Sequence, residues 1–278
     1  KIRAFFGVPV RVWPRAPLDK ILKKMIKNFF STTAKKIRNL LRIIKKPFIR
    51  KEDFWAKNIP EIDEENKTLI ESIGEHSLTP LIRRWTLIKS LHYINRKKLI
   101  GDIVECGIWR GGNLFLAKKI QDKYSNEPKR KFYGFDTFEG MPKPSFHDGI
   151  KINEVYENFK NKNEPWTKAS LDDVKNSTNS FFSKVDDFNF IKGMVEDTLK
   201  IQSNLPNKIS LLRLDTDLYE STKIELNILY PLLVENGVLI IDDYGDFPGC
   251  RKAVDEYFLD KNVLMTSVDK SCRLIIKD

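Results

Sequence analysis

Five short apolar runs, each ended by an acid or a glycine, recur between residues 102 and 243: DIVECG, FYGFD, FNFIKG, ISLLRLD and GVLIIDD. Runs this short, rich in branched side chains and separated by helix-length stretches, predict buried parallel strands joined by crossover helices. Helices must then cover both faces of the sheet, which makes the chain an α/β protein. Two further runs, 262–268 and 272–277, are separated by Asp269, Lys270 and Ser271 and predict a closing hairpin with one antiparallel strand. Upstream, residues 52–100 read as helical, with a cap at Ser77 or Thr79-Pro80 ahead of LIRRWTLIKSLHYI. Residues 138–186, rich in Asn, Lys and Ser and punctuated by Pro142, Pro144 and Pro165, predict an insertion or lid over the sheet edge.

The 278 residues carry a formal charge of +11, and it is unevenly spread. Residues 1–51 hold 16 Lys and Arg against one acid, Asp19, for +15, whereas residues 52–278 come to −4. The body of the chain is therefore no basic nucleic-acid reader. Within the leader, residues 19–46 set Leu22, Ile26, Phe29, Ile37, Leu40 and Ile44 mostly three or four apart among lysines, the pattern of a basic amphipathic helical extension. Its apolar face can enter an anionic membrane surface, or pack on the protein's own core or a partner subunit, and periodicity leaves that open. No apolar run approaches the roughly 20 residues of a membrane-spanning helix. Cys106, Cys250 and Cys272 have the spacing of neither a disulfide framework nor a metal knuckle, and no secretory signal is visible. The expectation is a cytoplasmic protein, with residues 19–46 available for peripheral contact at the inner membrane face.

Open α/β sheets bind ligands at the carboxyl ends of their strands, beside a topological switch point. The first strand ends in Glu105-Cys106-Gly107-Ile108-Trp109-Arg110-Gly111-Gly112, where glycines let a ligand approach the backbone and Glu105 can accept from hydroxyl or ammonium groups. Trp109 stands where a dinucleotide fingerprint needs its second glycine, and no P-loop is present. Asp136 ends the second strand, 29 residues after Gly107, and suits a ribose diol or a helix N-cap. Asp215 and Asp217 follow the fourth run, and Asp242 and Asp243 end the fifth. On adjacent parallel strands these four carboxylates converge, and like charges that close stay ionised only around a cation. Hard oxygen ligands point to Mg²⁺ or a similar ion.

VECGIWRGG, GFDTFEGMP, GMVEDTL, LRLDTDLYEST and LYPLLVENGVLIIDDYGDFPGCRKAVDEYF, in that order over about residues 100–260, resemble the TylF/MycF (macrocin O-methyltransferase) family of S-adenosylmethionine-dependent enzymes. The resemblance implies a class I methyltransferase fold, Rossmann-like, with a mostly parallel seven-stranded sheet and a terminal hairpin, and residues 52–278 are expected to form that S-adenosylmethionine-dependent domain. It also implies Mg²⁺-dependent methylation of a sugar hydroxyl on a glycoside, a lipid-linked sugar or a polysaccharide precursor. Carried over by position, Glu105, Gly107 and Gly111 would surround the methionine part of S-adenosylmethionine and Asp136 its ribose. Gly193, Asp197 and Thr198 would lie near the adenine, with Val195 where the family commonly has an aromatic. Asp215, Asp242 and Asp243 match the metal ligands, and Asp217 the proposed general base.

Other residues stay two-sided at this level. His147 is a substrate contact or a solvated loop side chain, Arg251 a partner for Asp243 or a helix-surface charge, and Tyr219 and Tyr244 pocket walls or ordinary core. A homo-oligomer is compatible with the sequence. Two other readings use the same features: methylation of catechols or other vicinal diols, and a non-catalytic membrane or nucleic-acid adaptor built on the basic segment. Retention of the full acid set argues against the adaptor.

Overall fold

The structure, a computed structural model, describes residues 59–124, 128–162 and 166–278. The basic leader 1–51, with its amphipathic stretch 19–46, lies outside the described residues. All seven expected strands form: β1 (Asp102–Cys106), β2 (Phe132–Asp136), β3 (Phe188–Lys192), β4 (Ile209–Leu214), β5 (Leu233–Ile241), β6 (Thr266–Ser267) and β7 (Arg273–Ile276). They build one sheet in the order β3-β2-β1-β4-β5-β7-β6. The first five pair in parallel, and β7 runs antiparallel to both β5 and β6. Strand order therefore reverses between β1 and β4, where a crevice opens at the strand ends.

The alternation of side chains along each strand decides what lies on either face. Ile103, Leu211, Val238 and Ile240 point to a face covered by α1 (Glu64–Ser72), α2 (Leu81–Arg96) and α3 (Gly112–Gln121). Val104, Cys106, Leu212, Leu214, Leu239 and Ile241 point to the other. That second face is covered by the short α6 (Val195–Thr198), by α7 (Tyr219–Leu229) and by α8 (Pro248–Phe258), which starts on a proline as helices favour.

The stretch expected as a single lid divides in two. Its first half carries α4 (Ile150–Asn161), an amphipathic helix with no buried residue. Its second half carries α5 (Leu171–Phe181), capped by Ser170, whose Val174 joins the core beneath α3. The crossover from β2 to β3 is thus an ordinary covering helix preceded by an exposed insertion. Phe181 and Phe182 bring this crossover onto Phe115, with ring centroids at 5.0 and 5.9 Å, and Phe188 of β3 closes the cluster at 6.2 Å.

Under the β4 end, Glu225 of α7 is fully buried. Its Oε2 accepts from the Thr216 hydroxyl at 3.1 Å, while its Oε1 is buried with no hydrogen-bond partner among the described residues. Burial, reinforced by the nearby Glu196 and Asp215 charges, holds this carboxyl well above the usual range, against the pull of Thr216 and the Cys106 thiol.

Two expectations follow from this packing. Phe115→Ala opens the aromatic cluster and should lower stability by about 3–5 kcal/mol in urea unfolding. For Glu225, a folded-state pKa above the unfolded one gives stability that is complete below the unfolded value and is lost as pH rises toward the folded one. Glu225→Gln keeps an acceptor for Thr216 without an ionising proton, so its melting temperature relative to the parent should climb between pH 5 and pH 8. A difference that stays flat across that window would mean Glu225 is charged in the fold.

Candidate active site

Register brings the acids together. Cys106, Leu214 and Ile241 are level across β1, β4 and β5, and the ladder runs on past the strand ends, with Asp215 N donating to Cys106 O and Asp242 N to Leu214 O, both at 2.9 Å. Glu105, Arg213 and Ile240 sit one step earlier on the α2–α3 face, and two-residue periodicity puts Asp215 and Asp242 there too. Asp243 is turned the other way, toward Asp217. Gly107 makes the close approach feasible: its φ is +80°, and a Cβ would lie 2.0 Å from Asp215 O.

Arg213 occupies the centre of this surface and is buried. Its Nη1 donates to Glu105 Oε1 at 2.5 Å and to Asp215 Oδ2 at 2.7 Å; its Nη2 donates to Asp242 Oδ1 and to Thr79 Oγ1 at 3.2 Å. Arg83 of α2 grips Asp242 from the opposite side through Oδ2, and its Nε donates to Asp269 Oδ2 at 2.7 Å. Asn113 of α3 completes the shell, its Nδ2 within 3.0 Å of Glu105 Oε1 and 2.9 Å of Thr79 Oγ1. None of Arg83, Arg213, Thr79, Asn113 or Asp269 stood out in the sequence as a site residue. The available signal was Arg213 itself, a lone charge inside the apolar run ISLLRLD.

Four carboxylates, Glu105, Asp215, Asp242 and Asp269, share two guanidinium groups, and Asp217 and Asp243 stand beside them, so acids outnumber bases. Burial, and then the neighbouring aspartates, push Asp215 and Asp243 well above the usual carboxylate range. Burial pushes Asp217 up to about 7, against the hydrogen bond it shares with Asp243. Carboxyl oxygens of Asp215, Asp242 and Asp243 lie within 4.8 Å of one another. Asp243 Oδ2 is buried with no hydrogen-bond partner among the described residues, a costly state that a cation would relieve. The three aspartates that sequence reading named as metal ligands thus fit a hard divalent cation, although both oxygens of Asp242 already accept from arginines.

The glycine turn after β1 lies alongside. Gly111, with φ +82°, precedes the first turn of α3. Asp136 binds this turn and its own: Oδ2 accepts from Trp109 N at 2.9 Å and Oδ1 from Phe138 N at 2.8 Å. It is therefore a brace between two loops rather than a helix cap. Gly193 N donates to Asp136 O at 3.0 Å, which brings the β3 turn to the same place. Glu105 faces inward to Arg213 and Asn113. Asp197 points to solvent beside Lys200, and the Thr198 hydroxyl donates to Met194 O within its own helix, so these two stand apart from the cluster.

The exposed insertion reaches the acids through Tyr219, the first residue of α7. His147 lies against the Tyr219 ring at 4.2 Å, and Lys252 Nζ sits 3.0 Å from His147 Nδ1. Arg251 bonds the carbonyls of Tyr244 and Gly245 rather than Asp243. Further along the insertion, Trp166 stacks on Phe159 at 5.4 Å and approaches Phe247, six residues past Ile241, at 6.4 Å.

Residues 23–275 match the family described as macrocin-O-methyltransferase (TylF). The chain is 28% identical over 238 residues to mycinamicin III 3''-O-methyltransferase of Micromonospora griseorubida, covering 85% of this chain and 86% of that one. It is 32% identical over 158 residues to 8-demethyl-8-(2,3-dimethoxy-alpha-L-rhamnosyl)-tetracenomycin-C 4'-O-methyltransferase of Streptomyces olivaceus, covering 56% of this chain and 58% of that relative's length. Among solved structures, the O-methyltransferase NovP superposes with a TM-score of 0.65 at 26% identity, over 73% of this chain and 82% of that one. The chain belongs to the macrocin O-methyltransferase (TylF) family of S-adenosylmethionine-dependent O-methyltransferases, and its seven-stranded sheet is a class I methyltransferase fold.

Proposed function

We propose that this protein transfers a methyl group from S-adenosylmethionine to a hydroxyl of a sugar carried on a glycosylated small molecule, with Mg²⁺ at the aspartate cluster. The observation that carries this reading is the meeting of Asp215, Asp217, Asp242 and Asp243 at two adjacent strand ends, beside the glycine turn after β1. Relatives named for methylation of sugar-bearing natural products support the acceptor class.

The chemistry needs a hydroxyl oxygen to lose its proton as it bonds to the methyl carbon, while the carbon–sulfur electrons return to the sulfonium. In this reading Asp217 takes that proton, supported by its position two residues from Asp215 and against Asp243. Asp215, Asp242 and Asp243 would hold the cation, which when bound lowers the pKa of a chelated hydroxyl and fixes its direction. Arg213 and Arg83 keep Asp242 aimed into the cluster. Asp136 and the Gly107–Gly111 turn would receive the ribose and methionine portions of the donor, and the exposed insertion around α4 would set acceptor choice. Among the described residues no helix is long and apolar enough to cross a membrane.

Calorimetry with S-adenosylhomocysteine and Mg²⁺, followed by a panel of rhamnosides and other glycosides with free vicinal hydroxyls and methyl-labelled donor, tests the reading. Asp243→Asn should abolish Mg²⁺ uptake and turnover while S-adenosylhomocysteine still binds; full turnover in EDTA would remove the metal. Asp217→Asn should retain both affinities and lose about 10²- to 10⁴-fold in kcat. Unchanged kcat would strike it out as the base.

A further inference from the structure

Asp217 stands in the left-handed region at φ +65°, a conformation that a non-glycine residue holds only where its surroundings impose it. On the strand side, Asp215 N is tied to Cys106 O. On the other side the chain passes through Leu218, whose N–H closes a tight turn on Thr216 O at 2.7 Å, and enters α7 at Tyr219. The α7 N-terminus has no capping side chain of its own. The first amide of a helix has no partner within the helix and needs one from elsewhere.

That partner comes from the insertion. Asp148 is buried at 2% exposure, and its Oδ1 accepts from Tyr219 N at 2.8 Å. Its Oδ2 accepts from Ser145 N at 2.7 Å and Ser145 Oγ at 2.8 Å, which locks the 145–148 turn around the same carboxylate. Asn153 of α4 ties down that turn, donating to Ser145 O and Gly149 O at 3.0 Å each. Space for the carboxylate is reserved in α8: a Cβ on Gly249 would fall 1.9 Å from Asp148 Oδ1. The Tyr219 side chain is held as well, with His147 on one side of the ring, Lys252 Nζ 4.6 Å from its centroid, and its hydroxyl donating to Glu256 at 2.7 Å.

We infer that Asp148 is a positioning residue for the methyl transfer: by capping α7 from the insertion, it fixes the Asp215–Tyr219 turn and with it the placement of Asp217. The inference rests on the proposed role of Asp217 as base. Asp148 touches neither donor nor acceptor in this role. It links the insertion proposed to set acceptor choice to the group proposed to take the proton, so an insertion seated wrongly leaves the base misplaced. A carboxylate suits the task twice, since it carries charge toward the positive end of α7 and offers both oxygens to separate strands of the contact.

The test combines Asp148→Ala, Gly249→Ala and the double variant in the full chain. Three readouts apply: amide hydrogen exchange over residues 216–222, S-adenosylhomocysteine affinity, and kcat on whichever glycoside of the panel is turned over fastest. Either single variant should speed exchange of the Tyr219 amide and lower kcat by roughly 10- to 100-fold, the scale of a small misplacement at a reacting centre, with S-adenosylhomocysteine affinity changed less than about twofold. The double variant should lose less than the product of the two single losses, because the Gly249→Ala methyl then enters space the carboxylate has left and keeps only its 3.0 Å approach to Tyr219 N. Slow Tyr219 exchange in Asp148→Ala, strictly multiplied losses in the double variant, or loss of S-adenosylhomocysteine affinity in step with kcat would each overturn the inference. Asp217→Asn, run alongside, separates the two readings: if it is fully active, the base assignment fails. If it is inactive while Asp148→Ala is fully active, the positioning role alone fails.

Discussion

The buried guanidinium of Arg213 is what allows the strand ends to meet. Glu105, Asp215 and Asp242 come from three neighbouring strands and would repel one another in a space closed to water. A buried arginine among them is itself expensive, since stripping water from an ion costs several kcal/mol even after relaxation. The arrangement holds because each charge answers the other: the planar fork supplies donors in the directions the three carboxylates occupy, which a lysine ammonium does not. Arg83 adds the second guanidinium and brings in Asp269 from the loop between β6 and β7, so the closing hairpin is bound to the same network. Loss of Arg213 would leave Glu105 and Asp215 without a counter-charge, the most damaging way to break such a network.

Two arginines do not answer the whole cluster. On the α2–α3 face Asp242 is held by both guanidiniums and Glu105 by Arg213, yet Glu105 Oε2 has no hydrogen-bond partner among the described residues; Asp243 and Asp217 lie toward α7 and α8, with Asp243 Oδ2 likewise unanswered. In the proposed site Asp215 and Asp242 from one face and Asp243 from the other would hold one cation between them, so bonded and unanswered carboxyl oxygens meet at the strand ends.

The parallel strands were legible because strands buried on both faces are mostly apolar, and β2, β4 and β5 run into Asp136, Asp215 and Asp242 where they reach the crevice. Asp215, Asp242 and Asp243 were legible for the same reason. Arg213 was not, since alternation alone cannot tell a charge turned to solvent from one turned to buried partners on a neighbouring strand. Asp136 shows the limit of local reasoning: its position suited a ribose diol or a helix cap, and the structure adds a brace between two different loops through Trp109 and Phe138. Asp197 and Thr198 were carried over by likeness, and the geometry leaves the first in solvent and the second bonded within its own helix. Residues 138–186 resisted because α5 buries only Val174 and Thr178, too few apolar positions to mark it as core.

The two halves of the crevice are built to different standards. Asp215, Asp242 and Asp243 hang from strand ends whose backbone is fixed by the ladder on both sides, so their spacing follows from the sheet. The facing insertion has no such support: α4 buries nothing, and the 145–149 turn owes its position to Asp148, Ser145 and Asn153. In the proposed reading, where the insertion sets acceptor choice, one contact has to tie the seat of the insertion to the reacting groups. Tyr219 meets that need, because its backbone amide and its ring both face the insertion while its chain position is two residues from Asp217.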